Sequence, residues 1–200
     1  IDEAELKTRY PHTWQYLKRF EPILRERAAF KRYFTRKDKS GKVIETGPFY
    51  SMFDVGDYTF APWKVVWPWI ATELRAAVSD ALPENNVTFV AFKEREEANY
   101  FCALMNSSPA NFVARSSYAA GGGGIARPSV MERVRIPKYD PADPVHRALA
   151  EASKEAHEAA ARGDESRLRE IEKQVDTLAA KLWNLTDKEL KEIKRGLEER

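Results

Sequence analysis

The apolar residues of the N-terminal part of the chain recur with a helical period. Over residues 12–34 they return every three to four positions, which predicts helix with an interruption at Pro22. Residues 35–47 combine turn-forming residues with lysines and predict a basic connector.

From Pro48 the period of the pattern changes to two. Residues 49–55 and 58–67 are aromatic and β-branched, and they predict an antiparallel pair of strands with a turn at Gly56-Asp57. Residues 86–92 predict a further strand. Helical spacing returns over residues 95–108, where the sequence Asn-Ser-Ser-Pro is expected to end the helix.

Residues 111–141 predict a short helix, then a glycine run, then a strand in the sequence ERVRIP. After that the chain is predicted to be helical, starting from Asp143 as N-cap and Pro144 as first helical residue. Gly163-Asp164 separates two helices, and Thr186 with Glu189 forms a capping box for the last one. A seam of apolar residues follows a coiled-coil-like spacing: Leu168, Ile171, Val175, Leu178 and Leu182.

These elements predict an α+β fold, in which a small mixed body with antiparallel strands is followed by a C-terminal helical hairpin. The predicted organisation is a linking helix and basic connector over residues 1–47, the α+β body over 48–141, and the helical tail over 142–200. The seam is expected either to pack within the tail or to bind another helix.

Composition limits the class of protein further. No apolar run is long enough to cross a membrane, and the charged first ten residues do not resemble a signal peptide. The single Cys102 excludes an internal disulfide and is typical of a reducing cytoplasm, so a cytoplasmic protein is expected. Because the chain opens on Ile1, we expect it to be a fragment of a longer protein.

The charge is distributed unevenly. Residues 1–50 hold 12 lysines and arginines against 7 aspartates and glutamates, whereas the rest of the chain is nearly balanced. Such a segment is typical of a surface that faces a polyanion, although a solvated helix face followed by a lysine-rich turn would look the same. The phosphate-contacting candidates are Lys31, Arg32, Arg36, Lys37, Lys39 and Lys42.

Lys64 lies between two tryptophans in the most aromatic stretch of the chain. Strand alternation places Trp63, Val65 and Trp67 on one face, where we expect core. Lys64 is expected to run its methylenes over the apolar surface and to lift its ammonium to the rim, within reach of a phosphate or a partner carboxylate.

The sequence contains no recognisable catalytic or metal-binding set. His146 and His157 share a helix face, but no cysteines or carboxylates complete a zinc site. Cys102 belongs to the apolar face of its helix and is expected to be core.

Four segments occur in an order that resembles a known family: PFYSMFDVGDYTFAPWKVVW, EANYFCALMNSSPANFVARSS, SVMERVRIPKYDPADPVHRALAEASKEAH and IEKQVDTLAAKLWNLTDKEL. They resemble the C-terminal target-recognition (specificity) region of prokaryotic, restriction–modification type adenine-N6 DNA methyltransferases, in particular the fused type II enzymes. The opening YPHTWQYLKRFEPILRERAAFKRYF is similar to the helix that leads out of their catalytic domain.

The resemblance implies a DNA-recognition domain whose parent protein is an enzyme. The family's catalytic domain binds S-adenosylmethionine with a glycine-containing turn and orients the flipped adenine with an Asn/Asp-Pro-Pro-Tyr/Phe tetrapeptide. This chain has no Pro-Pro, and its glycine run is followed by Ile125-Ala-Arg-Pro128, which does not open a helix. We therefore expect an upstream domain of the parent chain to bind the cofactor, flip the base and catalyse the reaction. No catalytic residue and no cofactor site are expected in this chain.

Double-stranded DNA is the partner that the resemblance implies. Glycines without side chains would let a loop approach a groove closely, although a plain connector is the alternative. The candidate loop residues are Arg115, Gly121, Gly122, Gly123, Gly124 and Arg127. Another class of function, a helical protein-interaction or dimerisation module of a restriction–modification complex, would use the leucine seam instead.

Overall fold

The computed structural model describes residues 1–84, 86–116 and 132–199. The chain forms two compact units, residues 1–56 and residues 57–200. Short antiparallel sheets occur together with helices, and helices close the chain, so the predicted α+β class is confirmed. No helix of the described ranges combines the length and apolar character needed to span a membrane.

The first unit consists of short helices followed by a β-hairpin. The helices are α1 (Glu3–Arg9), α2 (Pro11–Lys18), α3 (Glu21–Glu26) and α4 (Ala28–Tyr33), and the hairpin strands are β1 (Thr35–Lys37) and β2 (Val43–Glu45). The predicted interruption at Pro22 is confirmed, because α2 ends at Lys18 and α3 begins at Glu21, with Pro22 in its first turn. A second break at Arg27 was not predicted.

Residues 49–55 do not form the predicted strand. Instead, the Arg27 guanidinium donates to two of their carbonyls, those of Phe49 at 3.0 Å and Ser51 at 2.9 Å. These bonds occupy acceptors that a strand partner would need, and Asp54 takes a left-handed conformation with φ of 58°. The predicted pairing of 49–55 with 58–67 is therefore wrong.

The second unit begins with a three-stranded antiparallel sheet. Its strands are β3 (Trp63–Pro68), β4 (Ala77–Ser79) and β5 (Val87–Phe92), with β3 in the centre. Val65 lies opposite Val78 on one side and Val90 on the other. The strand over residues 86–92 is confirmed, but β3 pairs with β5 and the unpredicted β4.

Helix α5 (Arg95–Asn106) covers one face of this sheet and is followed at once by α6 (Ser108–Ser116). As predicted, α5 ends at Asn106. The Asn106 amide pairs with both backbone groups of Ala76, accepting from its N–H and donating to its carbonyl at 2.8 Å each. Asn111 Oδ1 likewise accepts from the N–H of Leu74 at 2.7 Å, so two side chains of the helical layer hold the segment before β4.

Within residues 132–199 the structure has three helices: α7 (Pro144–Arg162), α8 (Glu165–Leu182) and α9 (Asp187–Glu198). Their predicted starts are confirmed, as is the break at Gly163-Asp164, although α8 ends at Leu182, two residues before its predicted end. Asp143 caps α7, Gly163 ends it in the left-handed conformation with φ of 69°, and Thr186 with Glu189 forms the capping box of α9.

The leucine seam is buried inside the chain. Ile171 and Val175 are 1% and 6% exposed, and together with the other seam residues they pack in a cluster that includes Leu104 of α5 and Leu149 of α7. Arg167 and Glu155 link α7 to α8 at 2.6 Å, as expected for an antiparallel hairpin. The seam therefore packs within the chain, the simpler of the two expectations.

Candidate nucleic-acid interface

All six phosphate-contacting candidates of the N-terminal segment lie on α4 or on the hairpin β1–β2, and all six are exposed. The segment predicted as a connector is therefore an ordered hairpin. Lys37 and Arg36 leave β1 on opposite faces, because neighbouring strand residues alternate. Lys39 and Lys42 belong to its turn.

The turn is built around the carboxylate of Asp38. Its Oδ1 accepts from the N–H of Ser40 at 2.8 Å, from the Ser40 hydroxyl at 2.6 Å and from the N–H of Lys42 at 3.0 Å. These bonds, with that of the Ser40 hydroxyl first, hold the pKa of Asp38 below its usual value. Gly41 takes φ of 84°, a conformation that other residues adopt only with strain.

The carboxylate of Asp38 is thus used within the turn, and it is the only acid between residues 31 and 42. The hairpin carries four cations: Arg36, Lys37, Lys39 and Lys42. In the part of the chain that the structure describes, none of them has a carboxylate within ion-pair distance. The two cations of α4, in contrast, have partners. Lys31 Nζ lies 2.5 Å from Glu26 Oε2, and Arg32 Cζ lies 5.2 Å from the centre of the Tyr33 ring. The four hairpin cations, two on β1 and two in the turn, form a local concentration of positive charge.

Lys64 does not reach the rim as predicted. It is 1% exposed, and its Nζ donates to the carbonyl of Ala61 at 2.7 Å. A 3₁₀ turn at Asp57–Phe60 was not predicted; it packs on β5, where Tyr58 contacts Phe89, and Ala61 directly follows it. In this arrangement the ammonium serves as a hydrogen-bond donor inside the fold and cannot contact a phosphate.

The loop candidates are only partly described. Arg115 lies on α6, half-buried, and its Nη1 donates to the carbonyl of Leu197 in the last turn of α9 at 2.8 Å. This bond gives Arg115 a structural role at a helix C-terminus, where a cation is favoured. Gly121, Gly122, Gly123, Gly124 and Arg127 lie outside the described residues.

The remaining polar candidates are bonded inside the second unit. Nε2 of His157 accepts from the N–H of Val78 at 2.9 Å, and Nδ1 of His146 accepts from the N–H of Asp140 at 2.9 Å. Cys102 is fully buried, and burial raises the pKa of its thiol to about 12, which makes it unreactive. No group of histidines, cysteines or carboxylates suited to a metal occurs within the described ranges.

A shallow groove of about 590 Å³ lies beside α9 and is lined in part by Phe112, Leu185 and Ile193. One of the two glutamates that line it, Glu189, accepts from the backbone N–H and the hydroxyl of Thr186, at 2.8 and 2.7 Å. These bonds hold the pKa of Glu189 below its usual value, so the carboxylate stabilises the helix start. The hydroxyl and the carboxylate in this groove are thus bonded to each other as parts of the capping box of α9.

The described candidates thus fall into two groups: cations of the hairpin without an ion pair in the described ranges, and side chains bonded within the fold, namely Lys64, Arg115, His146 and His157. Comparison with known proteins adds a relationship. Over 116 residues, or 55% of the chain, it is 32% identical to the type II methyltransferase M.NspV of a Nostoc species. That match spans 21% of the relative's own length. The chain is therefore related to a type II methyltransferase over about half its length. No family model and no solved structure matches it.

Proposed function

We propose that this chain is the sequence-specific DNA-recognition domain of a restriction–modification adenine-N6 DNA methyltransferase. The relationship to a type II methyltransferase supports the broader class. The observation that carries the binding role is the hairpin β1–β2, which holds four cations without an ion pair among the described residues, two on β1 and two in the turn built around Asp38. Only 21% of the relative's length matches this chain, which is compatible with a domain that works together with other domains.

In this proposal the hairpin supplies affinity and other loops supply sequence preference. Lysine and arginine on the hairpin neutralise backbone phosphates and release counterions, which favours binding to any duplex. The residues around the glycine run would read base edges, and an upstream domain would flip and methylate the adenine. S-adenosylmethionine would be bound by that domain.

Neutralising the turn of the hairpin tests the proposal. In the variant Lys37→Gln/Lys39→Gln/Lys42→Gln, the slope of log affinity against log salt for a short duplex should flatten by up to about 2.7, because three phosphate contacts are lost at about 0.9 each. Fluorescence anisotropy over a salt series measures this slope. Preference among duplexes should not change, since phosphates are the same in every sequence.

The matched control removes three exposed lysines from α8 and α9: Lys173→Gln/Lys181→Gln/Lys188→Gln. Both variants lose the same net charge, so a general charge effect would lower the slope equally in both. Equal slopes in the two variants would refute a specific role of the hairpin. Circular dichroism should show the wild-type spectrum for both.

The cofactor assignment gives a second expectation. Because the chain lacks the tetrapeptide and a glycine turn that opens a helix, we expect no binding of S-adenosylmethionine by the 200-residue chain. Isothermal titration calorimetry measures this directly. Saturable binding at micromolar affinity would place a cofactor site in this chain and overturn the assignment of catalysis to an upstream domain.

A further inference from the structure

Residues 132–140, here termed the anchored segment, lie in the second unit and do not form the predicted strand ERVRIP. The alternation in that sequence is nevertheless present in three dimensions. Val134 is 8% exposed, and Ile136 packs against both hydrophobic clusters of the unit. The intervening Arg133 and Arg135 are exposed, as is Lys138.

Three side chains, from α5, from α7 and from the residue after α8, hold the backbone of the anchored segment. Trp183 Nε1 donates to the carbonyl of Arg135 at 2.9 Å, and the Tyr100 hydroxyl donates to the carbonyl of Pro137 at 3.0 Å. At its end, His146 Nδ1 accepts from the N–H of Asp140 at 2.9 Å. Burial raises the pKa of Tyr100, which keeps its hydroxyl protonated as a donor.

The cations of the anchored segment make no side-chain hydrogen bond to another described residue. Among the described residues, Arg133, Arg135 and Lys138 form no ion pair. The undescribed residues contain no aspartate or glutamate, so they add no side-chain carboxylate as a partner. Most of the arginines on α7 and α8, by contrast, are paired with glutamates. A segment whose backbone is fixed by three hydrogen bonds therefore presents three exposed cations that have no ion pair with the described part of the chain.

We infer that the anchored segment is a second duplex-binding surface, on which Arg133 and Arg135 contact backbone phosphates. The inference rests on the proposed function, and it adds a contact surface in the second unit to the hairpin of the first. Arginine suits this role because its planar fork of donors matches phosphate oxygens. The fixed backbone matters because ordering a loop only on binding would reduce affinity.

Removing both charges tests the surface directly. In Arg133→Gln/Arg135→Gln, the salt slope for a short duplex should flatten by up to about 1.8, at about 0.9 for each phosphate contact. The matched control is Arg162→Gln/Arg169→Gln, which removes two exposed arginines from α7 and α8, and it should leave the slope near the wild-type value.

A second variant tests the anchoring and keeps every charge. Trp183→Phe removes the indole donor to the Arg135 carbonyl, so the segment loses one of its three fixing bonds. We expect several-fold weaker duplex binding with an unchanged salt slope, at temperatures below the melting transition of the variant. Trp183 is a positioning residue in this inference, because it acts through the backbone of the anchored segment. Unchanged affinity in this variant would refute the role of anchoring.

The outcomes separate this inference from the proposed function. If the arginine variant matches its control while the hairpin variant loses slope, the anchored segment is not a DNA contact and the proposed function stands. If both variants match their controls, the proposed function fails as well. Binding of fluorescein-labelled polyglutamate is measured in parallel, and a loss confined to that probe would indicate an acidic protein partner and overturn the inference.

Discussion

Replacing Ile171 by glutamate is expected to remove much of the stability of the second unit and to lower its melting temperature markedly. Ile171 is 1% exposed and packs in the cluster that joins α8 to α5 and α7. A carboxylate there would be buried without a partner, at a cost of about 4 kcal/mol or more, whereas domains of this size have a total stability of about 5–15 kcal/mol. Loss of helical circular dichroism with temperature measures the effect.

The matched control is Gln174→Glu, which introduces the same side chain at an exposed position of the same helix. Its effect should stay within about 0.5 kcal/mol, as is usual for surface substitutions. A normal melting temperature for Ile171→Glu, together with a changed oligomer size in light scattering, would mean that the seam binds another chain. That result would revive the interaction-module alternative.

Changing Asp176 to asparagine is expected to destabilise the second unit by about 3 kcal/mol. The side chain of Asp176 is only 9% exposed, and it joins three helices. Its Oδ1 accepts from the N–H of Ser108 at 2.6 Å, while Oδ2 accepts from the Ser108 hydroxyl at 2.8 Å and from Lys194 Nζ at 2.7 Å. The asparagine loses the charge that favours both the ammonium and the first turn of α6.

The comparison for Asp176→Asn is Glu172→Gln, one turn earlier on the same helix and exposed. Both changes turn a carboxylate into an amide, so the difference between them reports the buried contacts alone. Urea unfolding followed by circular dichroism gives the two free energies. Similar values for both variants would show that the bonds around Asp176 contribute little to stability.

The features predicted correctly from the sequence are those that depend on neighbouring residues. Asp143 and Pro144 start α7, Gly163 ends it, and Thr186 with Glu189 starts α9, because capping is decided within one helical turn. Pairing between distant residues was not predictable in the same way. The choice of β4 as a partner of β3 depends on Asn106 and on the packing of α5, and neither leaves a local signal.

The same distinction applies to the candidate site. The cations of the hairpin could be selected by composition, but the turn that orders them depends on bonds to Asp38. Lys64 was misplaced because a 3₁₀ turn with no clear sequence signal covers its face of the sheet. The alternation around Arg133 and Arg135 correctly reported which side chains are buried, but it was interpreted as strand pairing. A period of two measures burial and says nothing about hydrogen bonds.

The position of Cys102 gives an experimental handle on the second unit alone. It is the one cysteine in the sequence, and its sulfur is enclosed in the second unit, 3.4 Å from the carbonyl of Ala76. A thiol-reactive reagent can modify it only after that unit opens, so the labelling rate in native buffer reports the opening free energy of residues 57–200 alone. Residues 1–56 contribute no thiol, and their unfolding is invisible to the reagent. Transient opening of the second unit can thus be followed while the hairpin β1–β2 is bound to a ligand.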